Sequence, residues 1–145
     1  MNETILRFGC PDTLVAEYRH WMVLLRPQQP TLGSLVLAAL GDFTSFSDLP
    51  AEAFAELHRP VSDIEAALAG AIGYAKINYL MLMMVDPHVH WHVIPRYEGV
   101  REACGVTLAD KGWPKLPQLG EAVALEPRQI EALREWLRLH WPVVR

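Results

Sequence analysis

The spacing of apolar residues in the first part of the chain predicts strands. Trp21–Leu25 and Leu35–Leu40 are short apolar runs of the length typical of strands. The segment Arg26–Gly33 between them contains two prolines and a glycine, which favour a turn or loop. The first 40 residues are therefore predicted to be rich in β-structure.

A helical spacing follows, with apolar residues recurring every three or four positions. The helix is predicted to begin at Asp48 or Pro50, and its buried face would consist of Phe54, Leu57, Val61, Ile64 and Leu68. Pro60 lies inside this pattern and has no N–H to donate, so we expect a kink there or two shorter helices.

The second half of the chain repeats this order of strand and helix. Ala75–Met84 is predicted to be a largely covered strand, Asp86-Pro87 a turn, and His88–Pro95 the next strand. Residues 99–125 carry scattered glycines and prolines and are predicted to be irregular. A last helix is expected from Pro127, with a buried stripe of Ile130, Leu133, Leu137 and Trp141. The fold class is therefore α+β, with a largely antiparallel sheet.

Composition places the chain among globular proteins and limits its partners. With 145 residues, 51% of them apolar, residues 1–145 are expected to form a single domain. We expect no membrane association, because no apolar run reaches the ~18 residues of a span, and a cytoplasmic location, because no signal peptide is recognisable. Cys10 and Cys104 are isolated and form no metal-binding pair. A net charge of −4 argues against a nucleic acid polymer as partner.

Candidate chemistry is concentrated in one pentapeptide, His88-Val89-His90-Trp91-His92, which holds half of the six histidines. Side chains alternate along a strand, so the three imidazoles should share one face. Metal binding is one interpretation, but His88 and His92 would be separated by about 13 Å along the strand, too far for one ion. A metal site would then use two of them with ligands from elsewhere, such as Glu98, His20 or Asp86.

Covalent chemistry on phosphorus is the other interpretation of this pentapeptide. A neutral imidazole is a good nucleophile near neutral pH, and its phosphoramidate is labile enough to turn over. Neighbouring imidazoles can donate hydrogen bonds to phosphoryl oxygens. Three histidines in a row thus place a nucleophile between two helpers, without metal or cofactor and without a basic surface.

These residues resemble the histidine triad superfamily. His88–Ile94 matches its pattern of histidines alternating with apolar residues, and the following Pro95-Arg96 resembles its dinucleoside-polyphosphate hydrolase branch. Pro30–Leu37 is similar to the upstream strand of the family. The resemblance implies a sheet of about five mainly antiparallel strands, two main helices and pairing into a homodimer.

The resemblance also implies a function and residue roles. The protein would act at an α-phosphate of a dinucleoside polyphosphate, a nucleoside phosphoramidate or an adenylylated compound, as a hydrolase or nucleotidyltransferase. His90 would become nucleotidylated, His92 would contact the phosphate and the bridging oxygen, and His88 would support the site. The alternatives are a metal-dependent hydrolase with two of these histidines as ligands, and a nucleotide-binding protein with weak or no catalysis.

Three further residues are candidates for nucleotide or phosphate binding. Ser34 stands where the family often has another histidine that lines the site, and Arg26 stands near the position where the family commonly has an asparagine that meets the ribose. Arg26 could instead meet a distal phosphate, and Arg96 could clamp one. The polar loop that usually precedes the triad is missing, so the sequence does not name a substrate.

Overall fold

A computed structural model describes residues 1–142. Residues 143–145, which the single-domain prediction includes, lie outside the described part. The helices are α1 (Glu3–Arg7), α2 (Ala51–Glu56), α3 (His58–Ala71) and α4 (Pro127–His140). The strands are β1 (Leu14–Glu17), β2 (Trp21–Leu25), β3 (Gln28–Gln29), β4 (Leu35–Ala39), β5 (Lys76–Leu80), β6 (His90–Arg96), β7 (Val100–Ala103), β8 (Val106–Ala109) and β9 (Val123–Ala124).

A five-stranded sheet in the order β1-β2-β4-β6-β5 forms the centre of the described residues. Every neighbouring pair in it is antiparallel. The predicted α+β class, with about five antiparallel strands and two main helices, is confirmed, since α3 and α4 are the two long helices. Two small sheets, β3-β9 and β7-β8, lie outside it.

One face of this sheet, called here the helix face, packs against the long helices. Leu37 of β4 and Val93 of β6 lie in a cluster with Ile64 and Leu68 of α3 and Leu133 of α4, all without exposed surface or nearly so. Burial of this many aliphatic side chains is the main source of stability in a domain of this size.

The opposite face, called here the histidine face, carries a smaller apolar cluster under α1. Val36 and Ala38 of β4 lie opposite His92 and His90 of β6 and therefore share their face. They pack with Ile5 of α1. The Asn2 side chain caps α1 by accepting from the Ile5 N–H at 2.9 Å. It also donates to the Ala39 carbonyl at 3.0 Å, which ties α1 to the end of β4.

The structure corrects several predicted boundaries. The strand expected over Ala75–Met84 ends at Leu80, and the segment after it leaves the sheet, with Met84 and Val85 exposed. The strand expected over His88–Pro95 begins only at His90, because the Val89 N–H donates to Phe43 in a loop. The expected helix from Asp48 or Pro50 is divided into α2 and α3, as the position of Pro60 had suggested.

The helix α1, the β7-β8 hairpin and the short β3-β9 pair were not predicted. The N-terminal region, expected to be rich in β-structure, begins with the helix α1. Residues 99–125, expected to be irregular, contain the hairpin β7-β8. Its turn is formed by Cys104 (φ 53°) and Gly105 (φ 77°), both in the left-handed region that tight hairpin turns require. In residues 1–142, none of the helices has the length and apolar character needed to cross a membrane.

Candidate active site

The three histidines lie on the same side of the sheet, but they are not equivalent. His90 and His92 point from β6, and their ring centroids are 5.0 Å apart. His88 lies two residues before His90, outside the strand. Thr4 of α1 contacts His88, while the Phe8 ring lies 5.6 Å from His90 and 5.8 Å from His92, so all three imidazoles meet the N-terminal segment. The predicted alternation is confirmed for His90 and His92, whereas His88 lies outside the strand.

His88 has both ring nitrogens occupied by protein partners. Its backbone N–H donates to Thr4 Oγ1 at 3.3 Å, and that hydroxyl lies 2.9 Å from Nδ1 and can donate to it. Nε2 then carries the proton and donates to Asp42 Oδ1 at 2.8 Å. His88 therefore has no nitrogen left for a substrate, and its contacts with Thr4 and Asp42 tie the start of β6 to α1 and to the loop after β4.

His90 has one nitrogen fixed and the other unpartnered. Its Nδ1–H donates to the His88 carbonyl oxygen at 2.6 Å, and because a carbonyl only accepts, the proton must be on Nδ1. Nε2 therefore carries the lone pair. Nε2 is buried and is the one side-chain nitrogen or oxygen in residues 1–142 that is buried without a hydrogen bond. An unpaired buried acceptor is costly, so this nitrogen is a strong candidate for a reacting atom.

His92 is held by an arginine. Arg26 Nε–H, which can only donate, lies 3.3 Å from His92 Nδ1, so His92 carries its proton on Nε2. Burial, and to a smaller extent the charges of Arg26 and His90, lower the pKa of His92 to about 4. His92 is thus a neutral hydrogen-bond donor at pH 7.

Arg26 is a half-buried cation beside these histidines. Its Nη1 donates to the Gln28 carbonyl at 2.5 Å, and no carboxylate in residues 1–142 lies within ion-pair distance of it. Burial lowers the pKa of its guanidinium. A cation in this position favours the approach of an anion, which is the role that the sequence suggested for Arg26.

Ser34 and Arg96 are placed differently from Arg26. Ser34 is fully buried in a tight turn, where its hydroxyl donates to the Thr31 carbonyl at 2.8 Å. Arg96 is 4% exposed and donates to Asp110 at 2.6 and 3.1 Å and to Asn78 Oδ1 at 2.8 Å. The structure therefore brings Arg26 to His92, whereas Ser34 and Arg96 are engaged in internal contacts.

Sequence reasoning missed the partners that orient the triad. Thr4, Phe8 and Asp42 lie far from the histidines in the chain, and α1 is too short to give a periodic pattern. Asn2 followed by Glu3 is a helix-start signal and was the one clue that could have indicated α1.

The described residues offer little support for a metal centre. In residues 1–142, no group of three or more His, Cys, Asp or Glu side chains could hold an ion. The suggested extra ligand His20 precedes β2, which β4 separates from β6, and its backbone N–H donates to Glu56. The Arg26 cation beside His92 would also repel a metal ion.

The fold is similar to that of histidine triad proteins of known structure. Neither a family model nor a curated protein matches the sequence. Solved structures do match, and the chain therefore has the histidine triad fold.

Three of these structures show how far the likeness extends. A histidine triad protein from Sinorhizobium meliloti superposes with a TM-score of 0.74 at 21% identity, over 97% of this chain and 95% of that one. A histidine triad protein from Bradyrhizobium japonicum has a TM-score of 0.72 at 20% identity, over 97% and 96%. A zinc-bound histidine triad family protein from Mycobacterium smegmatis has a TM-score of 0.57 at 17% identity, over 93% and 90%.

Proposed function

We propose that the protein is a nucleotide hydrolase or nucleotidyltransferase that acts at an α-phosphate through a nucleotidyl-His90 intermediate. The observation that carries this proposal is the state of His90: Nδ1–H is bound to the His88 carbonyl, and Nε2 is a buried lone pair without a partner. Such a nitrogen is a nucleophile that needs no base to remove a proton.

In the first step, His90 Nε2 attacks the phosphorus and a P–N bond forms. The bond from phosphorus to the leaving atom breaks, and its electron pair stays on that atom. The positive charge that develops on the His90 ring is stabilised by the hydrogen bond from Nδ1–H to the His88 carbonyl, 2.6 Å long. The His92 Nε2–H donates to a phosphoryl or bridging oxygen, whose charge increases in the transition state.

In the second step, water or another acceptor attacks the same phosphorus. The P–N bond breaks, its electron pair returns to His90 Nε2, and the proton lost by the water passes to solvent. Water gives a nucleoside monophosphate and makes the protein a hydrolase, whereas a different acceptor makes it a transferase. In both cases His90 is regenerated in its starting form.

Arg26 would supply the positive charge that the phosphate needs. It is half-buried, lies beside His92 and has no carboxylate partner in residues 1–142, so a phosphate oxygen can become its counter-ion. Because His92 is neutral at pH 7, it is a hydrogen-bond donor rather than a strong acid. This favours leaving groups that depart as stable anions, such as phosphates, over amines that must be protonated first.

We also propose a homodimer and a cytoplasmic location. β5 is an edge strand of the five-stranded sheet, and within residues 1–142 its outer side has no neighbouring strand, so a second copy could extend the sheet there. Both cysteines are free, which suits a reducing compartment.

Turnover of a substrate panel tests the function. The purified protein is incubated with diadenosine polyphosphates, adenosine phosphoramidate and adenylylated amines, and nucleoside monophosphate is measured by chromatography with and without a chelator. We expect release of monophosphate that the chelator does not reduce. Loss of activity with the chelator would indicate the metal-dependent alternative, in keeping with the zinc-bound relative, and tight binding without turnover would indicate a nucleotide-binding protein.

A further inference from the structure

The nitrogen proposed as the nucleophile is closed off from solvent. His90 has 0% exposed surface, and its Nε2 atom is buried without a hydrogen bond. Attack on phosphorus requires the two reacting atoms to come within roughly 3–3.5 Å of each other. The site is therefore closed in this structure, and a group that covers His90 has to move before a phosphate can reach Nε2.

Two rings lie against the His90 imidazole. The centroid of the His92 ring is 5.0 Å away, and that of the Phe8 ring is 5.6 Å away. Within the sheet, His90 pairs with Ala38 of β4, whose side chain is a single methyl group and too small to cover an imidazole. On the other side, β5 ends at Leu80, opposite His92, so β5 does not extend alongside His90. The two rings are therefore the candidates for the group that moves.

Of the two rings, that of Phe8 has the freedom to move. His92 belongs to the central strand β6, is 7% exposed, and accepts from Arg26 Nε–H at 3.3 Å. Phe8 follows the last residue of α1 and is only partly buried, so solvent lies beside it. A rotation about χ1 to another staggered rotamer would carry the phenyl ring away from His90. Side chains with an open side make such changes rapidly.

The backbone that carries Phe8 is held in place, which argues against movement of the whole helix. The Phe8 N–H donates to the Thr4 carbonyl at 3.1 Å, and the Phe8 carbonyl accepts from the Thr13 hydroxyl at 2.8 Å. Ile5 has no exposed surface, and the Thr4 hydroxyl is bonded to His88. Lifting α1 would expose Ile5 and break the hydrogen bond to His88, whereas turning the Phe8 ring does neither.

We propose that Phe8 is a gate over His90: its ring closes the nucleophile in the resting protein and turns aside when a phosphate enters, while α1 stays in place. The gate rests on the proposed function, because it regulates access to the same nitrogen. The free energy needed to displace the ring comes from binding of the rest of the substrate. Small electrophiles, which bind weakly, therefore reach His90 slowly.

Chemical modification of the histidines tests the gate without any substrate. Diethyl pyrocarbonate transfers a carbethoxy group to an unprotonated imidazole nitrogen, and at pH 8 an ordinary imidazole is neutral. The rate at each histidine is followed by peptide mass spectrometry with fragment ions, and His58, which is exposed on α3, is the reference within the same molecule. We expect His90 to react at least about tenfold more slowly than His58, and Phe8→Ala to raise the rate at His90 at least about fivefold.

Two further variants separate the ring from its surroundings. Phe54→Ala is the matched control, because Phe54 of α2 is a partly exposed phenylalanine that contacts Phe46, and it should leave the rate at His90 unchanged. Arg7→Ala removes the contacts of α1 with the Val85 carbonyl and the Asp86 carboxylate and should also leave that rate unchanged. A rise in Arg7→Ala as large as that in Phe8→Ala would show that α1 moves as a whole and would overturn the proposal.

The rate at His88 reports whether Phe8→Ala keeps its fold. Both nitrogens of His88 are occupied by Thr4 and Asp42, so its rate should not change. If it rises, Phe8→Leu, which keeps an apolar side chain without the ring, replaces Phe8→Ala. A rise at His90 without a rise at His88 supports the gate. An unchanged rate at His90, or wild-type His90 that reacts as fast as His58, overturns it.

Failure of the gate and failure of the proposed function give different results, because the modification measures access and not turnover. If no substrate is turned over but His90 is protected in the wild type and exposed in Phe8→Ala, the gate is supported and the proposed function fails. If substrates are turned over and His90 reacts as fast as His58, only the gate is refuted.

Discussion

The two faces of the central sheet differ in what their side chains do. On the helix face, neighbouring strands present apolar side chains to α3 and α4; Leu37 of β4 and Val93 of β6 are examples. On the histidine face, the apolar row of Val36 and Ala38 ends at His92 and His90, one strand further. Because side chains alternate along a strand, consecutive residues point to opposite faces. One residue therefore contributes to the apolar core, while the next is available for chemistry.

The two faces also differ in the elements that cover them. The helix face is covered by two 14-residue helices, whereas the histidine face is covered by the five-residue α1 and the Phe8 ring. In residues 1–142, the buried side-chain nitrogen without a hydrogen bond, His90 Nε2, is on this second face. Substitutions on the two faces should therefore have opposite consequences.

Removal of the nucleophile should have the largest effect. His90→Gln keeps most of the side-chain volume but has no imidazole, so kcat should fall by at least about 10⁴-fold while the melting temperature changes little. His58→Ala, a histidine of α3 on the other side of the sheet, is the control and should keep full activity. Activity of His90→Gln within tenfold of the wild type would refute the mechanism.

Arg96 is an expected exception, because it lies on the histidine face and yet its substitution should lower stability. It lies on the histidine face but forms a buried ion pair with Asp110 at 2.6 Å. Arg96→Met leaves a buried carboxylate unpaired and should lower the free energy of unfolding by about 3–5 kcal/mol in urea denaturation. The double variant with Asp110→Asn should recover part of this loss. Unchanged stability of Arg96→Met would show that Arg96 has no structural role.

The helix face should respond in stability alone. Leu37 has no exposed surface, and Leu37→Ala should lower the free energy of unfolding by about 3 kcal/mol through lost burial and a cavity. Below its melting temperature the variant should keep the kcat of the wild type. Val36→Ala, one residue away on the histidine face, is the matched comparison, with a smaller loss of stability. A large fall in the kcat of Leu37→Ala would contradict the statement that the helix face affects stability alone.

The histidine face should make stability depend on pH. The pKa of His92 is about 4 in the folded protein against 6.5 ordinarily, so between these values the unfolded chain binds more protons. The free energy of unfolding should therefore fall as pH drops from 6.5 to about 4, by up to about 3 kcal/mol. His92→Gln should lack this part of the dependence. Parallel pH profiles of the two proteins, by urea denaturation, would contradict the lowered pKa.

The parts of the fold that sequence predicts are those with repeated spacing. β2, β4 and α4 have long enough apolar patterns for their positions to be read directly, and the alternation of His90 and His92 indicates their shared face. α1 has too few residues for a periodic pattern, and the β7-β8 hairpin depends on a Cys-Gly turn that is uncommon.

The contacts that orient the site could not be predicted, because they join distant parts of the chain. Thr4 and His88 are 84 residues apart, and Asp42 and His88 are 46 residues apart. A local pattern contains no information on such pairs. For the same reason Arg96 looked like a free phosphate ligand: its partner Asp110 lies 14 residues further, in a segment without a recognisable pattern.

Detection of the covalent intermediate tests the central claim most directly. The protein is mixed with diadenosine tetraphosphate, quenched within the first turnovers at neutral or alkaline pH, where a phosphoramidate persists, and analysed by peptide mass spectrometry. We predict a nucleotidyl group on the peptide that contains the triad, located at His90 and absent in His90→Gln. Turnover with no adduct, or an adduct on His88 or His92, would contradict the assignment of His90 as nucleophile.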